Sequence, residues 1–96
     1  MAKFLFTERA ENDLEDIIDY TLNEWGSVQS RHYVDGLEEL SQLLADNPSV
    51  GTSRDGLSKG VISFPYRSHI LYYIKQRYGI TIVRVLHKAM DPHKHL

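Results

Sequence analysis

The spacing of the hydrophobic positions in this chain changes near residue 48. Before that point apolar residues recur every three or four positions, which is the spacing of an amphipathic helix. After residue 60 the apolar positions form dense runs of β-branched and aromatic residues, which are typical of strands. The pattern therefore predicts helices in the first half of the chain and a sheet in the second half.

The first half predicts one short strand and two helices. Residues 3–6 are mostly apolar, with three apolar side chains after Lys3, and Thr7 is placed to cap the helix that follows. Gly26 predicts the end of that helix, and Ser27 a side-chain cap for a second helix that stops at Pro48. Two long helices joined so closely form an antiparallel hairpin. The apolar stripes of the two helices comprise Ala10, Leu14, Ile17, Ile18 and Trp25, then Tyr33, Leu37, Leu40 and Leu44.

The second half predicts a loop followed by three strands. Residues 49–60 are rich in Gly, Ser and charge and have no periodicity, so they are expected to form the loop. Pro65 is expected to end the first strand, because proline cannot donate to a ladder. The strands are expected at residues 61–64, 69–76 and 80–87, with a short turn or helix in the tail from Lys88.

Both faces of the last two strands are largely apolar. We therefore expect the helices on one face and a partly apolar surface on the other. Tyr72 and Tyr73 point to opposite faces, so at most one is expected in the core. By the same alternation His87 shares a face with Val83 and Val85. The order predicts one α+β domain over residues 1–96, with an N-terminal strand and a two-helix antiparallel hairpin packed on a small antiparallel sheet.

Charge divides the chain into two unequal halves. Residues 1–48 carry three Lys or Arg against eleven Asp or Glu, and residues 49–96 carry eight against two. The net charge of −2 argues against a protein that coats DNA. The basic half still allows a local contact with an anionic partner. The chain has no cysteine, signal-peptide pattern or apolar run of membrane length, so a cytoplasmic protein is the simplest interpretation.

The second half also contains the residues that suggest chemistry. His87, Asp91, His93 and His95 are possible metal ligands, but their spacing matches no compact site, so no metal is expected. His69 and His87 are candidates for an acid or base, and the simpler interpretation, which we favour, is that each bonds a neighbouring carbonyl and helps to fix the tail. The second half also contains basic residues interspersed with tyrosines, and two interpretations of them remain. They form either a surface that binds RNA or ordinary solvated strand ends. These basic residues are Arg54, Lys59, Arg67, Arg77, Arg84 and Lys88.

A set of residues spread over nearly the whole chain resembles the ParE toxins of the RelE/ParE superfamily, from type II toxin–antitoxin modules. The markers of the first half are Thr7, Ala10, Asp13, Leu14, Tyr20, Thr21, Trp25, Gly26, Gln29, Tyr33, Leu44, Ala45 and Pro48. Those of the second half are Gly51, Gly60, Phe64, Ser68, His69, Tyr72, Tyr73 and the block from Ile82 to His87 with Met90 and Asp91. The last block is the most specific of them.

The resemblance implies a non-enzymatic toxin with no cofactor. Its implied target is DNA gyrase, whose inhibition blocks replication, and its implied neutralising partner is a ParD-like antitoxin that folds as it wraps the toxin. No membrane contact and no sequence-specific DNA binding by the toxin alone are expected. The candidates for toxicity or target contact are Arg67, His69, Arg84, His87, Met90 and Asp91. The candidates for antitoxin binding, provided that they are not buried in the core, are Tyr33, Leu37, Tyr72 and Arg77.

Two alternatives remain beside gyrase inhibition. RelE-like toxins cleave messenger RNA on the ribosome, and here such an activity would use Arg67, His69, Arg84 and His87. The chain departs from that pattern, because His69 stands where those enzymes carry a phosphate-binding arginine and no tyrosine follows Tyr78. The other alternative is a degenerate toxin that only binds its antitoxin.

Overall fold

The chain begins with a short strand and continues into two long helices. The structure is a computed structural model and describes residues 2–96. Strand β1 is Lys3–Phe6, helix α1 is Glu8–Trp25 and helix α2 is Ser27–Asp46. Neither helix in this described range is long and apolar enough to cross a membrane.

The remaining strands complete a five-stranded sheet. They are β2 at Thr52–Ser53, β3 at Ile62–Tyr66, β4 at His69–Gln76 and β5 at Gly79–His87. The strand order is β1-β5-β4-β3-β2. This arrangement confirms the predicted α+β class and the order of strand, helix, helix and strands. The sheet is mixed rather than purely antiparallel, because β1 pairs with β5 in the parallel direction.

Of the three helix-end residues predicted from the sequence, Thr7 and Gly26 act as predicted and Ser27 does not. The Thr7 hydroxyl accepts a hydrogen bond from the Ala10 N–H at 3.1 Å and donates one to the Val83 carbonyl at 3.0 Å, so the predicted cap also ties α1 to β5. Gly26 ends α1 with φ of 87°, a conformation that glycine adopts without strain. The prediction for Ser27 is wrong, because Ser27 is already the first residue of α2 and makes no side-chain cap.

A buried pair of hydroxyl groups joins the two helices. Thr21 Oγ1 and Ser30 Oγ lie 2.7 Å apart, and Thr21 also donates to the Ile17 carbonyl at 2.8 Å. Both residues are almost fully buried. Because each hydroxyl has a partner, the helices approach closely without leaving a polar atom unpaired.

Both faces of the sheet are covered by apolar side chains. On the helix side, Leu37 and Leu44 of α2 pack in one core with Tyr73. On the opposite side, Tyr72 packs in a second cluster that includes Leu57 of the long loop and Leu96 at the end of the tail. The expectation that at most one of the two tyrosines is a core residue is wrong, because the loop and the tail cover the second face.

A β-bulge in β5 changes which side chains share a face. Tyr72 pairs with Arg84 but Tyr73 pairs with Ile82, which leaves Val83 as an extra residue. Val83 therefore contacts the Tyr72 cluster, whereas Val85 lies in the helix-facing core. The expectation that His87 shares a face with Val83 is wrong for this reason.

Strand β3 continues through Pro65 instead of ending there. Its pairing with β4 extends from Ile62 to Tyr66, whereas β2 pairs only with Ile62 and Ser63. Pro65 therefore lies where the outer edge of β3 has no neighbouring strand, and an edge position tolerates the missing N–H.

Candidate functional site

An ion pair joins helix α1 to the end of strand β5. Arg84 Nε donates to Asp13 Oδ2 at 2.7 Å, and Nη2 donates to Oδ1 at 2.8 Å. Asp13 Oδ2 also accepts the Val85 N–H at 3.0 Å, and Arg84 Nη1 donates to the His95 carbonyl at 2.8 Å. The hydrogen bond to Asp13 is the main reason that the pKa of Arg84 is raised. This guanidinium thus holds α1, β5 and the tail together.

Next to this pair, two histidines lie with a tyrosine from α2. The Tyr33 hydroxyl and His69 Nδ1 are 2.6 Å apart. The rings of His69 and His87 meet edge to face, with centroids 5.4 Å apart. His87 Nδ1 accepts the Ala89 N–H at 3.0 Å, which helps to fix the start of the tail. The expectation that each histidine bonds a neighbouring carbonyl is wrong, because the partner is an N–H for His87 and a tyrosine hydroxyl for His69.

Burial controls the protonation of this cluster. It lowers the pKa of His69, the charge of His87 lowers it further, and Asp13 opposes both effects. Burial also raises the pKa of Tyr33. In neutral His69, Nδ1 bonds the Tyr33 hydroxyl as acceptor or as donor, depending on the ring tautomer. Both pKa shifts favour the neutral forms of these two side chains.

A largely apolar groove of about 280 Å³ opens beside the histidines, and we call it the histidine groove. It is lined by Asp13, Asp16, Ile17, Tyr20, His69, Val85, His87 and Met90. Three candidates for toxicity therefore line one groove, His69, His87 and Met90. Asp91 is exposed, and its carboxylate accepts the His93 N–H at 2.9 Å to cap the turn at the chain end.

Arg67, the remaining candidate for toxicity, lies in a second groove of about 370 Å³, which we call the arginine groove. This groove is lined by Trp25, Gln29, His32, Tyr33, Arg67 and Ser68. Arg67 is in the turn between β3 and β4 and has φ of 52°, the left-handed region. Trp25, which the sequence predicts to be a packing residue, remains 50% exposed at the wall of this groove.

Three of the four candidates for antitoxin binding are core residues. Tyr33, Leu37 and Tyr72 are at most 6% exposed. The expectation required that they not be buried, so in this conformation their side chains are not open to a partner. Arg77 is exposed in the turn between β4 and β5. Sequence spacing cannot distinguish a buried aromatic residue from an exposed one, because both can occupy the same positions in the hydrophobic pattern.

The part of the chain that the structure describes contains no cluster of metal-binding side chains. Among residues 2–96, no group of three or more His, Cys, Asp or Glu side chains is placed to hold an ion. The tail histidines and Asp91 instead lie along a short turn at Pro92–Lys94.

Comparison with known proteins identifies the family. A model described as the ParE toxin of the type II toxin–antitoxin system parDE matches residues 4–92. The chain belongs to the ParE toxin family. It is 32% identical to Toxin ParE1 of Caulobacter vibrioides over 100% of this chain and 99% of that protein. It is 33% identical to Toxin ParE1 of Mycobacterium tuberculosis over 99% of this chain and 98% of that protein.

A solved structure also shares the ParE fold. The chain from a structure titled "Chromosomal ParDE TA system from P. aeruginosa" superposes with a TM-score of 0.75 at 20% identity, covering 91% of this chain and 96% of that one. At this identity the likeness supports the fold alone. The match of the ParE model includes the whole block from Ile82 to Asp91, which the sequence marked as the most specific. This ParE-family chain is thus the toxin component of a type II toxin–antitoxin module.

Proposed function

We propose that this ParE-family toxin binds DNA gyrase, inhibits it without catalysing a reaction, and so blocks replication in the cytoplasm. In this proposal the histidine groove and the start of the tail contact the target. His87 and Met90 are exposed there, and Asp16 also lines the groove. An apolar groove with charge at its rim has the composition of a protein-binding surface.

The observation that carries this proposal against ribonuclease activity is the state of Arg84. A phosphodiester cleavage site needs a cation directed at the phosphate. Three nitrogens of the Arg84 guanidinium already donate to Asp13 or to the His95 carbonyl. The Asp13 carboxylate also adds a negative charge beside the place where the phosphate would lie. This arrangement supports binding of a protein more than cleavage of RNA.

A ParD-like antitoxin is the proposed neutralising partner. Family membership supports this partner, since the matched model describes a toxin of the parDE system. Arg77 remains a proposed direct contact because its side chain is exposed. Tyr33, Leu37 and Tyr72 support the complex from the core instead, by holding the helices and the sheet in place.

A purified supercoiling assay tests the proposal. Gyrase is incubated with rising amounts of toxin, with and without the protein encoded beside it, and a ribosome-bound messenger RNA is treated in parallel. We expect loss of supercoiling that the neighbouring protein reverses, and an intact messenger RNA. Normal supercoiling at a large molar excess of folded toxin would contradict the proposal, and cleavage of the RNA would favour the RelE-like alternative.

A further inference from the structure

The arginine groove differs from the histidine groove in charge. None of its lining residues is acidic, and Gln29, His32, Arg67 and Ser68 all bring polar side chains that can donate hydrogen bonds. The histidine groove next to it contains Asp13 and Asp16. Because Arg84 already compensates the charge of Asp13, the difference comes mainly from Asp16 on one side and Arg67 on the other, and it favours an anion in the arginine groove.

The arginine groove also presents an open aromatic ring. Trp25 is half exposed, yet its orientation is held by two neighbouring rings. The Trp25 centroid is 6.1 Å from that of Tyr20, with planes at 81°, and 6.1 Å from that of Tyr33. A fixed and open indole is a good surface for stacking a planar ring, because little side-chain freedom is lost on binding.

Arg67 is held above the turn in a way that suits a phosphate. Its guanidinium carbon lies 5.7 Å from the centre of the Tyr66 ring. Packing against an aromatic ring restrains the guanidinium while leaving N–H groups at its edge free for an anion. Arg67 has φ of 52°, where glycine is the usual residue. A strained residue at a binding surface is a reason to look for a function that retains it.

From these features we propose that the arginine groove binds a nucleoside phosphate. The base stacks on Trp25, and the phosphate accepts hydrogen bonds from Arg67 and Ser68. A groove of about 370 Å³ is within the range of small-ligand sites. The ligand is either a free nucleotide or one unit of a single strand, since both present the same ring and phosphate. This inference does not depend on gyrase being the target.

Trp25 provides a direct measurement, because it is the one tryptophan of the chain. Its fluorescence is recorded while AMP, adenosine, inorganic phosphate or an oligothymidylate of eight units is added. We expect AMP to quench Trp25 at lower concentration than adenosine does, since adenosine lacks the phosphate. Tighter binding of the oligothymidylate would identify a single strand as the source of the ligand, and equal or weaker binding would identify the free nucleotide.

Salt dependence checks the phosphate contact. One phosphate contact by a cation predicts that the logarithm of the binding constant of the oligomer falls with the logarithm of salt concentration with a slope of about −0.7. The inference is overturned if AMP leaves the fluorescence unchanged, or if adenosine binds as well as AMP.

Two variants separate binding from folding. Arg67→Gly removes the guanidinium but accepts the positive φ, so we expect about tenfold weaker AMP binding with no loss of thermal stability. Arg9→Gln removes an exposed arginine outside the groove and is expected to leave AMP binding unchanged. Trp25→Leu removes the stacking surface, and for this variant binding is followed with a fluorescent AMP analogue. Wild-type affinity in Arg67→Gly, or equal losses in Arg67→Gly and Arg9→Gln, would overturn the proposal.

Discussion

Asp13 on helix α1 and Arg84 on strand β5 form two N–H···O bonds although they lie 71 positions apart in the sequence. Their side chains are only 13% and 12% exposed, and the Val85 N–H donates to the same carboxylate. The pair thus fixes the first helix to the sheet at the base of the histidine groove. Arg84, a basic residue of the block from Ile82 to Asp91, therefore stabilises the fold and is not free to bind a partner through its guanidinium.

Arg84→Met is expected to destabilise the fold. Removing one partner of a mostly buried pair leaves a carboxylate with fewer hydrogen bonds, which costs about 3 kcal/mol. Urea unfolding followed by circular dichroism measures the free energy of unfolding. Glu15→Gln, an exposed acidic position on the same helix, is the control and should change it by less than about 0.5 kcal/mol. The double variant Asp13→Asn/Arg84→Met should lose less than the sum of the two single variants, and simple additivity would show that the pair is not coupled.

The free energy of unfolding is expected to decrease as the pH is lowered, because of His69. Its pKa is lowered in the folded state by burial and by His87, so below about pH 6.5 the unfolded chain binds more protons. The contribution of neutral His69 is therefore fully present above pH 6.5 and is lost as pH falls toward the folded pKa. The slope from this residue is at most about 1.4 kcal/mol per pH unit.

The measurement compares free energies of unfolding at pH 7.5 and 5.5. His69→Gln should reduce the pH dependence, whereas His93→Gln in the exposed tail should leave it as in the wild type. The same slope in His69→Gln and the wild type would contradict this prediction and assign the loss to other titrating groups.

Gly79 is expected to tolerate no side chain. It has φ of 144°, and an added Cβ would meet the Lys3 carbonyl oxygen and lie 2.9 Å from the Lys3 nitrogen. Gly79→Ala should therefore disturb the pairing of β1 with β5 and cost about 3 kcal/mol or more, seen as a lower melting temperature. Gly56→Ala is the matched control, since nothing lies within 4 Å of its added Cβ. Equal melting temperatures for the two variants would contradict this prediction.

Substitutions in the histidine groove are expected to weaken toxicity without unfolding the protein. His87→Ala and Met90→Ala remove exposed side chains, so each should raise the toxin concentration needed for half-inhibition of supercoiling by about tenfold at nearly constant stability. Leu43→Ala removes an exposed apolar side chain of α2 outside this groove and should leave inhibition unchanged. If all three variants inhibit like the wild type, the target contact lies elsewhere on the toxin.

Local patterns were sufficient for much of the fold. The Thr7 cap, the stop at Gly26 and the change of period after residue 48 each depend on neighbours in sequence, and each agrees with the structure. The bulge at Val83 does not follow from alternation, because one extra residue moves every following side chain to the other face. The parallel pairing of β1 also depends on contacts with distant residues.

The sequence by itself determined the α+β class, the family and the residue types that gather near the tail. Only the tertiary structure decided what those residues do. Tyr73 is buried in the core beneath the helices, and Tyr72 is buried too because Leu57 and Leu96 cover the second face. Arg84 is occupied by a carboxylate from the first helix, and His69 is paired with Tyr33 of the second. These outcomes depend on contacts between distant parts of the chain, whereas the spacing of hydrophobic residues reflects only the local structure of residues that are near in sequence.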